Sequence, residues 1–149
     1  MIKARDTNTS TMWKLYFDGA SRGNPGLASY GAVLYDDDIE VNYTRGTLGT
    51  ATNNQAEYQA LINGLQIAID QIGDNSELNV YGDSSLVLKQ STGEWKCNND
   101  HLRELLSKVK KLEQRFSKVT YNHVRRKFNK RADALANLAL DENSTKSDA

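Results

Sequence analysis

Four acidic residues, far apart in the chain, constrain its fold more than any other feature: Asp18 in YFDGASRGNPG, Glu57 in TNNQAEY, Asp83 in VYGDSS and Asp133 in NKRADALAN. Asp18 and Asp83 close apolar strand-like runs, Glu57 falls on the apolar stripe of a helical repeat, and Asp133 sits in about the first turn of another helix. None of these is the position of a solvated surface acid. Carboxylates brought within a few ångströms in such surroundings raise one another's pKa unless cations neutralise them. A fold that gathers them therefore calls for divalent metal.

The patterning around the acids fixes the elements. LYFDGA alternates, with Leu15 and Phe17 facing one way and Tyr16 and Asp18 the other, which places Asp18 at the working end of a strand. After the turn cluster SRGNPG, GAVLYDDDIEVNYTRGTLG reads as a hairpin whose tip is Asp36, Asp37 and Asp38, an exposed turn rather than a metal site. TNNQAEYQALINGLQIAIDQIG has a helical period, with Leu61, Leu65, Ala68, Ile69 and Ile72 on one face, the Asn pair as N-cap and Gly73 at the C-terminus. Glu57 lies one turn before Leu61 and points with that stripe toward a sheet. LNVYGD is a further strand ending in Asp83, SSLVLKQSTG a short helix closed by Gly93, and NNDHLRELLSKVKKLEQRF a helix with Leu102, Leu105, Leu106, Val109 and Leu112 on one face. KVTYNHV is the last strand, and NKRADALANLAL a helix with Asn129 as N-cap.

A meander of strands followed by alternating helices and strands predicts an α/β fold: a five-stranded mixed sheet covered by helices on both faces. With 149 residues the chain makes one domain, expected over 13–140, between a flexible polar leader at 1–12 and a polar tail at 141–149. No apolar run approaches the ~20 residues of a membrane span, and the leader has no signal core, so a cytoplasmic protein is expected. A single cysteine, Cys97, excludes an internal disulfide. Basic and acidic residues balance at 19 each, yet eleven Lys or Arg lie between Arg103 and Arg131 against only Glu104 and Glu113. Such segregation suits a basic face for phosphates and acids elsewhere for metal.

The motifs DGASRGNPG, TNNQAEY, GDSSLV and NKRADALAN, in that order and spacing, resemble the type 1 ribonuclease H family over essentially all of residues 13–140. The resemblance implies a sheet of order 3-2-1-4-5 with strand 2 antiparallel to the rest. It implies endonucleolytic hydrolysis of the RNA strand of RNA/DNA hybrids, giving 5′-phosphate and 3′-hydroxyl ends. Phosphodiester hydrolysis needs an activated water, a stabilised phosphorane charge and a neutralised leaving oxygen, which two Mg²⁺ ions roughly 4 Å apart supply. Oxygen ligands alone satisfy Mg²⁺, with Mn²⁺ a substitute. Asp18 is expected to bridge both ions, Glu57 and Asp83 to complete one site, and Asp133 the other.

Departures from the family pattern are informative. Many members carry a histidine in the loop before the last helix. Here that loop is VRRKFNKRAD; His123 falls inside the strand as an ordinary residue, and Arg126 comes nearest the position. Arg126 can stabilise phosphate charge but cannot shuttle protons. The link after GDSSLVLKQSTG is too short for the basic, Trp-containing protrusion of some bacterial members, though Lys89, Trp95, Lys96 and the Lys-rich helix can replace part of it. Trp95 is otherwise expected as a core or helix-capping aromatic. By motif position, Gly19, Ser21, Asn24, Asn53 and Asn54 are expected at sugars of the hybrid, and Thr52 with Asn98 at a DNA phosphate. Ser85 stands where many relatives place a minor-groove Gln. Recognition would rest on shape and 2′-hydroxyls rather than bases, by a monomer with no small-molecule cofactor. The alternatives are a catalytically silent hybrid-binding module and a nuclease of another branch of the fold, acting on RNA duplex or branched DNA.

Overall fold

Alternating apolar residues build the central strand first. In the computed structural model, which describes residues 12–148 and their side chains as far as 142, β1 (Trp13–Gly23) buries Leu15 and Phe17 completely. It pairs antiparallel with β2 (Gly26–Asp36), which pairs antiparallel with β3 (Ile39–Ala51). On its other side β1 runs parallel to β4 (Glu77–Gly82), and β4 runs parallel to β5 (Lys118–His123). The order is β3-β2-β1-β4-β5 with β2 alone reversed, as the motifs imply. The Asp36–Asp38 run is the β2–β3 turn, with Asp37 in the left-handed conformation at φ 54° that aspartate tolerates.

Helices cover both faces. Leu15, Phe17, Ala32 and Leu34 share a buried cluster with Leu61 and Leu65 of α1 (Asn53–Ile72). Gly31 points the other way, toward α4 (Lys130–Asp148), where a Cβ would lie 2.6 Å from the Ala132 carbonyl oxygen and 2.7 Å from the Ala136 nitrogen. Strand alternation thus sends neighbouring residues of β2 to opposite helical layers. The short α2 (Ser85–Thr92) and α3 (Asp100–Glu113) complete the α1 side, with Leu102, Leu105 and Val109 buried and Leu106 and Leu112 half-buried. Each fully buried Leu or Phe stabilises the fold by roughly 1.5–3 kcal/mol.

Two helix ends differ from the sequence pattern. Thr52, not the Asn pair, caps α1: its hydroxyl accepts from the Gln55 N–H at 3.1 Å while the Gln55 side chain accepts from the Thr52 N–H at 2.9 Å. Asn53 is free for another bond, and its N–H donates to Asn24 Oδ1 at 3.0 Å. At the far end, α4 continues past Leu140 to Asp148, because Asp141 and Glu142 pair with Arg22 of β1 and Arg45 of β3. The leader expected at 1–12 lies outside the described residues except for Met12. Among the described residues no helix is long and apolar enough to cross a membrane.

Candidate active site

The parallel register between β1 and β4 sets Tyr16 beside Tyr81, so the next rung on the same face holds Asp18, and Asp83 follows as the first residue beyond β4. Asp18 is 4% exposed. Glu57 arrives from α1, just beyond its first turn, and its Oε1 accepts the Gly19 N–H at 3.1 Å. That approach requires glycine: a Cβ on residue 19 would stand 2.3 Å from the Ala56 carbonyl carbon and 2.4 Å from the Glu57 nitrogen. Carboxylate oxygens of Asp18, Glu57 and Asp83 all lie within 4.8 Å of one another. Asp133, in the first turn of α4, adjoins Asp18 outside this group and accepts from Asn137 Nδ2 at 3.2 Å.

The position of α4 is set by Asn129, which lies just before it. Asn129 is buried, its carbonyl accepts the Asp133 N–H at 3.1 Å, and its side-chain Nδ2 donates to the Phe17 carbonyl at 2.9 Å. It occupies the N-cap position, but its amide bolts the helix start to β1 instead of capping.

Electrostatically the cluster is a site of stored repulsion. Burial, then the charges of Glu57 and Asp83, then hydrogen bonding with Asp133 and Glu57 push Asp18 up to about 10. Burial and Asp83 push Glu57 up to about 8, against the opposing pull of its bonds to Asp18 and the Gly19 N–H and the charge of Arg126. Asp83 Oδ2 is buried without a hydrogen-bond partner. An all-oxygen donor set containing an unpartnered buried oxygen fits a hard divalent cation such as Mg²⁺ or Mn²⁺.

The three acids open into a cleft of about 480 Å³ that Gly19, Asn53, Asn54, Ser84, His123, Val124, Arg125 and Arg126 also line. Of the residues expected at a substrate, the fold thus brings Gly19, Asn53, Asn54 and Arg126 to the acids. Ser21, Asn24 and Thr52 do not line the cleft: Ser21 Oγ donates to the Ala51 carbonyl at 3.0 Å, Asn24 holds Asn53, which does line it, and Thr52 caps α1. Ser85 opens α2, exposed beside Ser84, and Asn98 is exposed ahead of α3; neither lines the cleft. His123 is a strand residue, as expected, but its place at the cleft was not. It ends β5, opposite Gly82 in register, and is exposed into the cleft. Arg125, two residues beyond β5, is not singled out by the motifs; it reaches the cleft through the parallel register of β5 with β4. Trp95 is not core: its ring is 46% exposed with Lys89 Nζ 4.9 Å from the ring centroid, while its backbone N–H caps the end of α2 by donating to the Lys89 carbonyl at 3.1 Å.

Comparison with known proteins agrees with this geometry. The reverse transcriptase-like family matches residues 16–139. Ribonuclease HI of Halobacterium salinarum is 51% identical over 128 residues, covering 85% of this chain and 63% of its own length. A bifunctional protein of Mycobacterium tuberculosis is 42% identical over 126 residues, of which the chain spans 34%. The chain thus covers less than two thirds of these relatives. Ribonuclease H of Ruthia magnifica is 34% identical and matched over 97% of its length. Among solved structures, RNase H1 from Halobacterium salinarum superposes with a TM-score of 0.83 at 47% identity, covering 88% of this chain and 98% of that one. LC11-RNase H1, isolated from compost and solved in complex with RNA/DNA hybrid, gives 0.84 at 34% identity over 88% and 98% of the two chains. With strand order, acid cluster and near-full-length relatives in accord, this chain belongs to the type 1 ribonuclease H family.

Proposed function

We propose that the protein is an endonuclease that hydrolyses the RNA strand of RNA/DNA hybrids, leaving 5′-phosphate and 3′-hydroxyl ends. The observation that carries the reading is the convergence of Asp18, Glu57 and Asp83 within 4.8 Å, with Asp83 Oδ2 lacking a partner. The hybrid found with the LC11 relative supports the choice of substrate. Asp18, Glu57 and Asp83 would hold one Mg²⁺ or Mn²⁺ ion, and Asp18 with Asp133 a second. When bound, such ions lower the pKa of water and offset charge on attacking and leaving oxygens.

The chain's own groups provide the rest. Glu57 is fixed by the Gly19 N–H, which bonds its Oε1 at 3.1 Å and so holds the carboxylate beside Asp18 and Asp83. Arg126, exposed in the cleft, meets phosphate charge without exchanging a proton. Asn53 and Asn54 present amides to sugar hydroxyls, and Gly19, Ser21, Asn24, Thr52, Ser85 and Asn98 extend the track along the two strands. The protein acts in this reading as a cytosolic monomer without a small-molecule cofactor.

The test is cleavage of end-labelled RNA/DNA hybrid, RNA duplex, DNA duplex and single-stranded RNA, with Mg²⁺, Mn²⁺ or EDTA, against Asp18→Asn. Cutting confined to the hybrid's RNA strand, abolished by EDTA and lowered at least ~10³-fold by the substitution, is expected. Binding without cutting would instead assign a silent module, and cleavage of DNA another branch of the fold.

A further inference from the structure

The loop that leads from β5 to α4 has two sides. Arg125 and Arg126 line the acidic cleft, whereas Lys127, Phe128 and Asn129 line a separate cleft of about 300 Å³. Its floor is aromatic. Tyr16, one rung below Asp18 on the same face of β1, stacks on Tyr81 with ring centroids 4.7 Å apart and meets Tyr35 edge-on at 5.6 Å. Phe128 forms an outer wall and is 63% exposed, a large apolar ring with no core to cover it.

Its rim is charged. Asp38 is paired with Lys14 at 3.6 Å, Asp37 Oδ1 accepts the Met12 N–H at 3.1 Å, and Arg131 is held by Glu40 through bonds of 2.9 and 3.0 Å. Lys127 and Lys130 have no ion-pair partner among the described residues, and Lys127 Nζ lies 5.1 Å from the Phe128 ring centroid. Burial pushes the Tyr16 and Tyr35 hydroxyls up, so both remain neutral donors at pH 7. Flat aromatic surface beside unpaired lysines is the arrangement that holds a base by stacking and its phosphate by charge.

We propose that this cleft binds an unpaired nucleotide, its base against Phe128, Tyr16 and Tyr35 and its phosphate at Lys127 and Lys130. The site is distinct from the acidic cleft and does not depend on metal or on cleavage. Two sources share this chemistry, a free mononucleotide and a single-stranded segment of a longer strand.

The test is an NMR titration of the whole, metal-free protein in EDTA with thymidine 5′-monophosphate and, separately, with oligothymidylate of six residues. Amide shifts centred on Tyr16, Tyr35 and Phe128 through Lys130 are expected with either probe. Tighter binding of the oligomer by tenfold or more assigns the site to a strand, and equal affinity assigns it to a free nucleotide. Phe128→Ala, at an exposed position that leaves the core intact, should weaken binding about tenfold, within the range that stacking on one ring contributes per base. Lys127→Gln should weaken it less, and in a salt-dependent way. Shifts confined to the acidic cleft and α3, or an unchanged affinity in Phe128→Ala, would overturn the proposal.

Discussion

Replacing Asp18 by Asn should make the metal-free protein more stable while removing its activity. Unfolded, the acids of the cluster titrate near ~4. Folded without a cation, Asp18 is held up to about 10 and Glu57 up to about 8 by burial and mutual repulsion. Above about pH 4 the unfolded chain therefore releases protons that the native site retains, so stability falls as pH rises, until the native acids ionise as well. At about 1.4 kcal/mol per pH unit for one proton, the loss at pH 7 reaches roughly 4 kcal/mol for Asp18 alone. The two acids share one repulsion and their effects do not add, so Asp18→Asn should recover roughly 2–4 kcal/mol, a rise in Tm of roughly 10 °C for a domain of this size. The assay is thermal unfolding by circular dichroism in EDTA at pH 5, 7 and 9. The gap between the variant and the native sequence should widen with pH and narrow when Mg²⁺ is added to the native protein. A native Tm that stays flat from pH 5 to 9, with the Asn variant no more stable, would refute this electrostatic account.

Gly19→Ala places a methyl against the α1 backbone at 2.3 Å, forcing a shift of about an ångström between Asp18 and Glu57; cleavage should fall ~10²-fold and the urea midpoint should drop. Thr52→Ala removes one half of the α1 capping box and should lower unfolding free energy by roughly 0.5–2 kcal/mol, read from urea denaturation. Arg126→Gln removes a positive charge that favours ionised Glu57, so the lower limb of the pH–rate profile should move to higher pH and the rate at pH 7 fall roughly two- to fivefold; an unchanged profile would show that Arg126 does not sense the cluster.

The acids and the strands that carry them are legible in the sequence because their positions follow from local period. Asp18 and Asp83 end alternating runs, and Glu57 shares a stripe with Leu61, so the face on which each side chain emerges is decided within a few residues. What sequence patterning misses depends on distant partners. Thr52, Asn53 and Asn54 are all acceptable caps, and the choice falls to Thr52 because Gln55 reciprocates and Asn24 engages Asn53 across the β1–β2 turn. The extension of α4 past Leu140 rests on Arg22 and Arg45, more than ninety residues earlier in the chain. His123 and Arg125 reach the cleft because β5 ends level with β4, a register no local pattern states. Trp95 is exposed because the turn after α2 binds its N–H to the Lys89 carbonyl and leaves its ring outside the core.

The helix that supplies Asp133 comes last in the order of the described elements, and it is bolted to the first strand through Asn129 and Phe17. During synthesis, β1, α1 and β4 leave the ribosome well before their fourth acid exists. A nascent chain can gather three carboxylates, but the docking of α4 against β1 must wait until the five strands and three preceding helices of this fold have been made. The set of four is complete only once the last element of this fold has docked, so a folding intermediate that lacks α4 holds three carboxylates and an unfinished centre.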